Sequence, residues 1–553
     1  MRRSGGGIRT SVNRDVAARI HRLHPWQRGR WQGQVDRSAI RGPVAEWKKP
    51  PSFAVPAVNA ERVPFRVAGI LKFIWLLCKT YAYSLAYQCA PCPGKARPMT
   101  THLDLLRTIV THTVHEAPPG EFLVGEKADR WARAFAFSRV KASGERVGVR
   151  RDGVLAAMRL ARSLASDKPQ YHRGARYKTL AEAILDVSME KFNSRPPDSI
   201  VASDLAALKS SVQEWFSRNN ISRTYIVPCS IIPDLNGFPN AKPFAIGPAT
   251  FRHVSEFLKA STSSDLTEKM LEEMSIGPLL QAMNERHATW LAEVTIDGCE
   301  ETKASEIADL AVDIALVGIQ LVIPAFLSRN MARITGRTSP PFVGSMYRTG
   351  SQTHGGIHWR QPGQGLSGGA FDEVCSMEVD VLQSVGRRVQ GYVRGGPRLP
   401  NLEQAWCDAA YWFHEGLAES LDSIAVAKHE TAIEVLLGAE SSSRSEKRLC
   451  EALHAFHGVS EDDPIATDPS VTIKQYAKGI VGPRSRFLHG TWSTLGENAE
   501  AARANVEALS RGLLRLSSLA LDRYCSVQSP TDNTASFLEW INSERENSGT
   551  RIS

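Results

Sequence analysis

The sequence lacks any run of about 20 apolar residues, which is the length that a helix needs to span a bilayer. Its most apolar N-terminal stretch, residues 67–90, contains Lys72 and Lys79 with only six apolar residues between them. We therefore do not expect a transmembrane helix, and we expect no membrane among the partners of this protein.

Cysteine is also scarce, with 9 residues scattered over 553 positions. This number and spacing do not form a disulfide framework, and the opening residues do not follow the pattern of a cleavable signal peptide. We therefore expect a reducing, cytoplasmic compartment.

Acidic residues are few in one part of the chain only. Residues 1–98 hold 18 Lys and Arg against 4 Asp and Glu, whereas the remaining 455 residues hold 49 basic and 54 acidic side chains. The pI of about 9.1 therefore reflects the N-terminal extension and is not evidence for a basic binding face elsewhere. Residues 1–98 lack periodic apolar spacing over most of their length, and we expect them to be disordered, or untranslated with a start at Met99.

Residues 99–400 have the pattern of a mixed α/β region. Apolar residues at helical spacing predict helices over Thr100–Glu116 and Arg151–Ala165, and an apolar stretch before Pro324 predicts a buried core helix over Ser305–Phe326. Short β-branched and aromatic runs predict strands, at Thr224–Val227, Pro243–Phe251 and Trp290–Ile296. We expect this region to have a sensing or regulatory role.

Residues 401–528 have apolar residues at three- and four-residue spacing almost throughout, which predicts an antiparallel bundle of four or five helices. The predicted helices are Asn401–Ser420, Ile424–Glu440, Ser445–Phe456, Thr472–Ile480, Arg484–His489 and Glu497–Tyr524. Gly482-Pro483 predicts a break between two of them. Residues 529–553 are expected to form a tail with a short helix at Ala535–Ser543. The fold class predicted for the whole chain is therefore α+β.

Within the bundle, Arg484 and His489 are separated by four residues. On a helix they lie about 140° apart around the axis and ~7.5 Å apart along it, so both long side chains can reach a groove along one edge. Arginine supplies a permanent charge suited to phosphate, and histidine supplies a group that titrates near neutral pH. These are the groups that a metal-free attack of an RNA 2′-hydroxyl on phosphorus requires.

Other patterns compete with this pair. The same Arg/His spacing occurs at Arg19/His24, Arg97/His102 and Arg107/His112, of which the last is also predicted to be helical. Gly363–Gly369 fits both a dinucleotide fingerprint and a nucleophile elbow, but no strand, turn and helix are evident around it, so we expect a loop. Cys450, His454 and His457 have helical spacing that suits zinc if a fourth ligand comes from elsewhere, but ordinary packing explains them better.

Two segments of the bundle resemble the HEPN domain of the ApeA-like type. In that family an A-L-E-x-L-L helix precedes an R-S-x-x-x-H-G helix. Here His429-Glu-Thr-Ala-Ile-Glu434-Val-Leu-Leu-Gly-Ala-Glu440 precedes Arg484-Ser-Arg-Phe-Leu-His489-Gly490. The resemblance covers residues 401–528.

The resemblance implies a helical bundle that forms a homodimer, with a metal-independent endoribonuclease site built from Arg and His of both subunits, often in bacterial anti-phage or toxin systems. It assigns phosphate binding to Arg484 and general acid/base catalysis to His489, with Ser485 and Glu434 as supporting residues. We interpret Arg486 and Lys478 as RNA contacts, although Arg486 is equally well explained as a solvated charge. No cofactor or metal is implied, and RNA is the expected partner.

Three interpretations stay open on the sequence alone. The bundle is an active ribonuclease triggered by a phage component or a nucleotide, a catalytically inactive HEPN module that dimerises or binds nucleotide or RNA, or an unrelated helical domain. Neither the RNA target nor the trigger is encoded in a short motif.

Overall fold

A computed structural model of the chain describes residues 100–116, 135–140, 146–192, 195–233, 241–262, 276–334, 342–359, 362–439, 441–465, 468–496 and 498–548. All of them belong to Pro98–Ser553, which forms one compact unit. The basic extension of residues 1–98, including the apolar stretch 67–90, lies outside the described residues. Within the described part of the chain, no helix combines the length and the apolar character needed to cross a membrane.

The described residues form a mixed α+β fold in which helices predominate and the sheets are small and antiparallel. The helices are α1 His102–Thr111, α2 Arg151–Asp167, α3 Pro169–Gly174, α4 Tyr177–Lys191, α5 Ala202–Asn219, α6 Val254–Thr262, α7 Ile276–Glu285, α8 Glu301–Val322, α9 Ala325–Ser328, α10 Gly368–Met377, α11 Val379–Arg394, α12 Pro400–Leu417, α13 Asp422–Leu436, α14 Ser442–His457, α15 Ile473–Leu488, α16 Glu500–Tyr524 and α17 Thr534–Ser548. The strands are β1 Thr113–Glu116, β2 Phe137–Val140, β3 Arg146–Val149, β4 Arg223–Ser230, β5 Phe244–Ile246, β6 Ala249–His253, β7 Trp290–Ile296, β8 Ala332–Arg333, β9 Phe342–Thr349, β10 Gln352–Trp359, β11 Pro464–Ile465 and β12 Asp468–Thr472. The predicted α+β class is confirmed at this level.

The N-terminal part of the unit has its own hydrophobic core. Helices α1, α2, α4 and α5 pack around residues such as Leu106, Leu160 and Phe216, and a three-stranded sheet of order β1-β3-β2 adjoins them. The predicted helix over Thr100–Glu116 is too long, because the chain leaves the helix at His112 and Thr113–Glu116 pairs with β3. The apolar spacing of this segment continues beyond the helix, so periodicity alone did not reveal its end.

A second core begins at the five-stranded sheet, whose order is β5-β6-β7-β4-β8. The predicted strands are confirmed, except that Pro243–Phe251 contains two strands, β5 and β6, joined by a turn at Gly247 with φ of +59°. Helix α8 packs on this sheet and is buried along most of its length, which confirms the predicted core helix. Glu300 caps its N-terminus by accepting the N–H groups of Thr302 and Lys303.

The same core continues across residue 400. Helix α11 packs on α8, α12 and α16, and α12 packs on α8, α13 and α16. Helix α13 contacts α15 and α16, and α14 contacts α15 and α17. The C-terminal helix α17, with buried Leu538 and Ile541, is longer than the short helix predicted at Ala535–Ser543. The five-stranded sheet and the C-terminal helices are therefore held together by one hydrophobic core.

The glycine-rich segment before α10 is not a loop over its whole length. Phe342–Thr349 pairs in antiparallel register with Gln352–Trp359, and Gly350, with φ of +61°, lies in the two-residue turn between them. A short turn with glycine in the left-handed region matches the twist of a hairpin. The hairpin exposes Met346 and Tyr347.

One close helix-to-sheet contact yields a stability prediction. Gly386 of α11 lies against Gly247, and a Cβ atom at Gly386 would fall 2.5 Å from the backbone nitrogen of Gly247. We expect Gly386→Ala to lower the free energy of unfolding by at least about 2 kcal/mol, because backbone rather than a flexible side chain must move. Gly391→Ala on the same helix, where the nearest atom is 3.4 Å away, is the control. Equal destabilisation of the two variants in urea unfolding would contradict this account.

Candidate functional site

Four of the predicted site residues lie together in a cleft between α13 and α15. The cleft has a volume of about 320 Å³ and is lined by Glu430, Glu434, Ala439, Ser441, Arg484, Ser485, Leu488 and His489. Packing of α13 against α15 brings together segments that are about 50 positions apart in the sequence. The structure thus places Arg484, Ser485, His489 and Glu434 around one cleft, and it adds Glu430.

The start and end of α15 determine where His489 lies. The helix begins with a reciprocal cap between Thr472 and Gln475. It ends when Gly490 adopts a φ of +70°, a left-handed conformation that favours glycine at the residue after a helix. The His489 N–H still donates to the Ser485 carbonyl at 3.0 Å. His489 is therefore attached to the last turn of the helix with its side chain exposed at the mouth of the cleft.

The predicted helix break at Gly482-Pro483 is wrong, because α15 runs continuously from Ile473 to Leu488 with Pro483 inside it. Proline removes one backbone donor and pushes its ring against the preceding turn. The next N–H, that of Arg484, donates to a carboxylate oxygen of Glu430 at 2.9 Å. Contacts with α13 thus support the helix at the position where the sequence alone favoured a break.

Glu434 connects three helices at the cleft. Its Oε2 atom forms an ion pair with Nη1 of Arg484 on α15, and its Oε1 atom accepts a hydrogen bond from the hydroxyl of Ser445 on α14 at 2.8 Å. The Glu434 side chain is 13% exposed and that of Arg484 is 31% exposed. Glu434 therefore orients the guanidinium of Arg484, while part of that group still faces the cleft.

Glu430 is a site residue that the sequence analysis missed. It lies one helical turn before Glu434 on the same face of α13 and is only 1% exposed. Burial raises the pKa of Glu430 to about 8, against a smaller lowering effect from the Arg484 N–H and the Arg484 charge. At neutral pH this carboxyl group is therefore largely uncharged, and the cleft has one carboxylate fewer to repel an anion. The four-residue spacing of the two glutamates was the available signal.

The pKa of Glu430 predicts a pH-dependent stability. Between pH 4.5 and about 8 the folded protein holds a proton that the unfolded chain releases, so the free energy of unfolding falls as the pH rises through this range. Glu430→Gln stays neutral and lacks this loss. We measure the free energy of unfolding in urea at pH 5 and at pH 8.5. Between these values we expect the free energy of unfolding of Glu430→Gln, minus that of the parent, to rise by up to a few kcal/mol, on the order of the linkage free energy. An unchanged difference between the two proteins would show that Glu430 titrates normally.

The two predicted RNA contacts lie outside the residues that line the cleft. The Arg486 guanidinium lies 4.5 Å from the ring centroid of Trp492, and the backbone N–H of Trp492 donates to the Arg486 carbonyl at 3.0 Å. Lys478 is exposed seven residues before Ser485, about 10 Å away on the same face of α15. Neither side chain lines the cleft that Arg484 and His489 share.

The competing pair, Arg107 and His112, has a structural role. Nε and Nη2 of Arg107 donate to the Ile200 carbonyl at 3.1 and 3.0 Å, which fixes the short 3₁₀ segment Pro197–Ser199 to α1. His112 is the residue at which α1 ends. The guanidinium of Arg107 is therefore engaged with backbone rather than presented to a ligand.

The glycine loop also has a structural explanation. Contrary to the sequence analysis, a strand precedes it and a helix follows it, since β10 ends at Trp359 and α10 begins at Gly368. The Ser367 hydroxyl accepts the Ala370 N–H at 3.2 Å and caps this helix. Ser367 is thus occupied as a helix cap, not placed as a nucleophile.

The remaining alternative was zinc at Cys450, His454 and His457. His454 Nδ1 donates to the Val459 carbonyl at 3.1 Å, and Cys450 is buried. Among the described residues, no group of three or more His, Cys, Asp or Glu side chains is arranged to hold a metal ion.

Comparison of the chain with family models, with curated proteins and with solved structures finds no match. The function proposed below therefore depends on the residues of the cleft and on their geometry.

Proposed function

We propose that the cleft between α13 and α15 is the active site of a metal-independent endoribonuclease, carried by a helical bundle of the HEPN type. The observation that supports this most is the joint placement of Arg484 and His489 at one cleft, with Glu434 holding the arginine. A permanent cation and a titratable imidazole at one cleft are what phosphodiester transesterification needs.

In the proposed reaction, His489 removes the proton from the 2′-hydroxyl of the substrate. The 2′-oxygen then forms a bond to phosphorus as the bond from phosphorus to the 5′-oxygen breaks. Arg484 stabilises the negative charge that builds up on the non-bridging oxygens. The 5′-oxygen leaves with a proton, supplied by imidazolium, and the products are a 2′,3′-cyclic phosphate and a 5′-hydroxyl.

The charges of the cleft are consistent with phosphate binding. Nη1 of Arg484 meets Glu434, but a guanidinium carries five N–H donors and the Arg484 side chain is 31% exposed, so an anion in the cleft can still reach this group. The raised pKa of Glu430 removes a second negative charge from the cleft at neutral pH. An incoming phosphate therefore competes with one carboxylate rather than two.

We propose further that a second copy of the chain completes the site. Leu488, which is 62% exposed, lies beside His489 at the cleft and offers apolar surface to a partner. A second His489 brought to the same groove would supply the imidazolium that protonates the leaving oxygen. In this proposal the region before residue 400 regulates cleavage, and the protein serves as a defence or toxin effector.

Attack by the 2′-hydroxyl is tested most directly with the substrate. Once a cleavage position has been mapped in an RNA oligonucleotide, we expect a single 2′-deoxy substitution at that nucleotide to abolish cleavage. The same substitution at the next nucleotide is the matched control and should leave cleavage within about threefold, because it removes no reacting atom. Cleavage of both oligonucleotides, or a product with a 5′-phosphate, would contradict the proposal.

The second candidate is an inactive HEPN module that binds RNA or nucleotide. The Arg484–Glu434 ion pair favours it, since in this arrangement the arginine is already partly neutralised. Such a module would retain the oligonucleotide in a gel-shift assay and leave it uncut.

A further inference from the structure

A second cavity lies where the two hydrophobic cores meet. It has a volume of about 270 Å³ and is lined by residues of α3, α8, α11 and α12 and of the segment between α11 and α12. Helix α3 follows α2 in the N-terminal core, and the other walls belong to the core that contains the bundle. A molecule in this cavity would therefore touch both parts of the unit.

The polar walls of the cavity carry net positive charge. Arg173 and Lys303 are permanent cations, and His172 is exposed beside them. The only carboxylate on the described lining, Glu403, is ion-paired with Arg388. An anion in the cavity would thus meet two cations, Arg173 and Lys303, that are not paired with the carboxylate of the lining.

The two cations are only lightly engaged. Arg173 donates from Nη2 to the Val393 carbonyl, but its buried Nε has no hydrogen-bond partner among the described residues. Among the described residues the Lys303 ammonium makes one ion pair, from Nζ to the Glu306 carboxylate at 3.7 Å, which is long for an ion pair. Cations that protein acceptors engage this little favour a ligand that supplies acceptors of its own.

The other walls are apolar and shaped for close approach. Tyr392, Ile307 and Pro397 supply flat or aliphatic surface. Gly395 has φ of +67°, and a Cβ atom there would lie 2.7 Å from Nε of Arg173, so a larger residue would displace that side chain. The volume is close to the lower limit of ligand pockets, which span about 300–1,000 Å³. The cavity therefore has room for one small molecule that combines an apolar ring portion with one acidic group.

We propose that this cavity binds a small molecule that joins a ring to a phosphate group, of the class of nucleoside monophosphates. The phosphate meets Arg173 and Lys303, and the ring lies against Tyr392 and Ile307. Helix α12 forms one wall of the cavity and also packs on α13, which carries Glu430 and Glu434. We therefore expect a ligand in the cavity to change the rate of cleavage at the cleft between α13 and α15. Only this coupling to cleavage rests on the proposed ribonuclease function.

Binding is tested by calorimetry with the full-length His489→Ala protein, so that the result does not depend on cleavage. The probes are the four nucleoside monophosphates, adenosine and inorganic phosphate. We expect at least one monophosphate to bind, and adenosine and phosphate alone to bind at least about tenfold more weakly, a difference of ~1.4 kcal/mol. We expect the additional change Lys303→Gln to weaken that binding about tenfold or more.

Lys447→Gln, at an exposed lysine of α14, is the matched control and should leave binding unchanged. Circular dichroism establishes that each variant is folded. The proposal would be overturned if none of the four monophosphates gave binding heat at concentrations up to about 5 mM, which is well above the dissociation constant of the weakest binding that the proposal allows. Equal binding by the His489→Ala protein and by the protein that also carries Lys303→Gln would overturn it as well. Neither result would bear on the ribonuclease proposal, because no cleavage is measured.

Discussion

Replacing His489 with alanine is expected to lower the rate of RNA cleavage by about 10²–10⁴-fold, the usual contribution of a positioned acid or base. The side chain is exposed at the end of α15, so its removal leaves the described hydrophobic core of the bundle unchanged. The effect should therefore appear in the single-turnover rate with little change in thermal stability.

The matched control for this variant is His112→Ala. His112 has the same spacing from an arginine, Arg107, and also lies at the end of a helix, but it is not at the cleft. We expect it to cleave RNA like the parent. If His112→Ala lost as much cleavage as His489→Ala, the assignment of the activity to Arg484 and His489 would be contradicted.

Replacing Arg484 with alanine is expected to lower cleavage by about 10²–10³-fold, as when one preorganised donor to a developing oxyanion is removed. Arg484→Lys should recover only a small part of the rate, because an ammonium lacks the planar fork and cannot bind Glu434 and phosphate in the same way. Both rates are measured at saturating RNA, so that a change in the reaction step is separated from weaker binding.

Glu434→Gln distinguishes positioning by Glu434 from direct participation. Glutamine keeps an acceptor for Ser445 and loses the charge that holds Arg484. If Glu434 acts only through Arg484, this variant loses far less activity than Arg484→Ala and keeps the pH profile of the parent. A pH profile that loses one limb would instead identify Glu434 as an acid or base.

The sequence predicted the fold best where a segment is apolar on all sides or regularly periodic. Helix α8 and strand β7 were located because burial leaves an almost uninterrupted apolar pattern. The end of α1 was not located, because the strand that follows it is set by pairing with a segment at least 30 residues away. Pairing across such a distance leaves no local trace in the sequence.

The same limit applies to the site. The spacing of Arg484 and His489 occurs at other places in the sequence, so the family resemblance was needed to select this pair and to name Glu434 as its support. Pro483 predicted a helix break because a rule based on neighbouring residues leaves out the carboxyl group of Glu430, which lies on another helix and accepts the Arg484 N–H. The pKa of Glu430 likewise depends on burial in the packed bundle, which no residue of α13 reveals by itself.

The most direct test of the central claim is cleavage of a panel of tRNA and total RNA by the full-length protein in excess EDTA, with the parent compared to Arg484→Ala and His489→Ala. The account predicts cleavage that persists in the chelator and is lost in both variants. Cleavage that the chelator abolishes, cleavage that both variants retain, or no cleavage by the parent would contradict it.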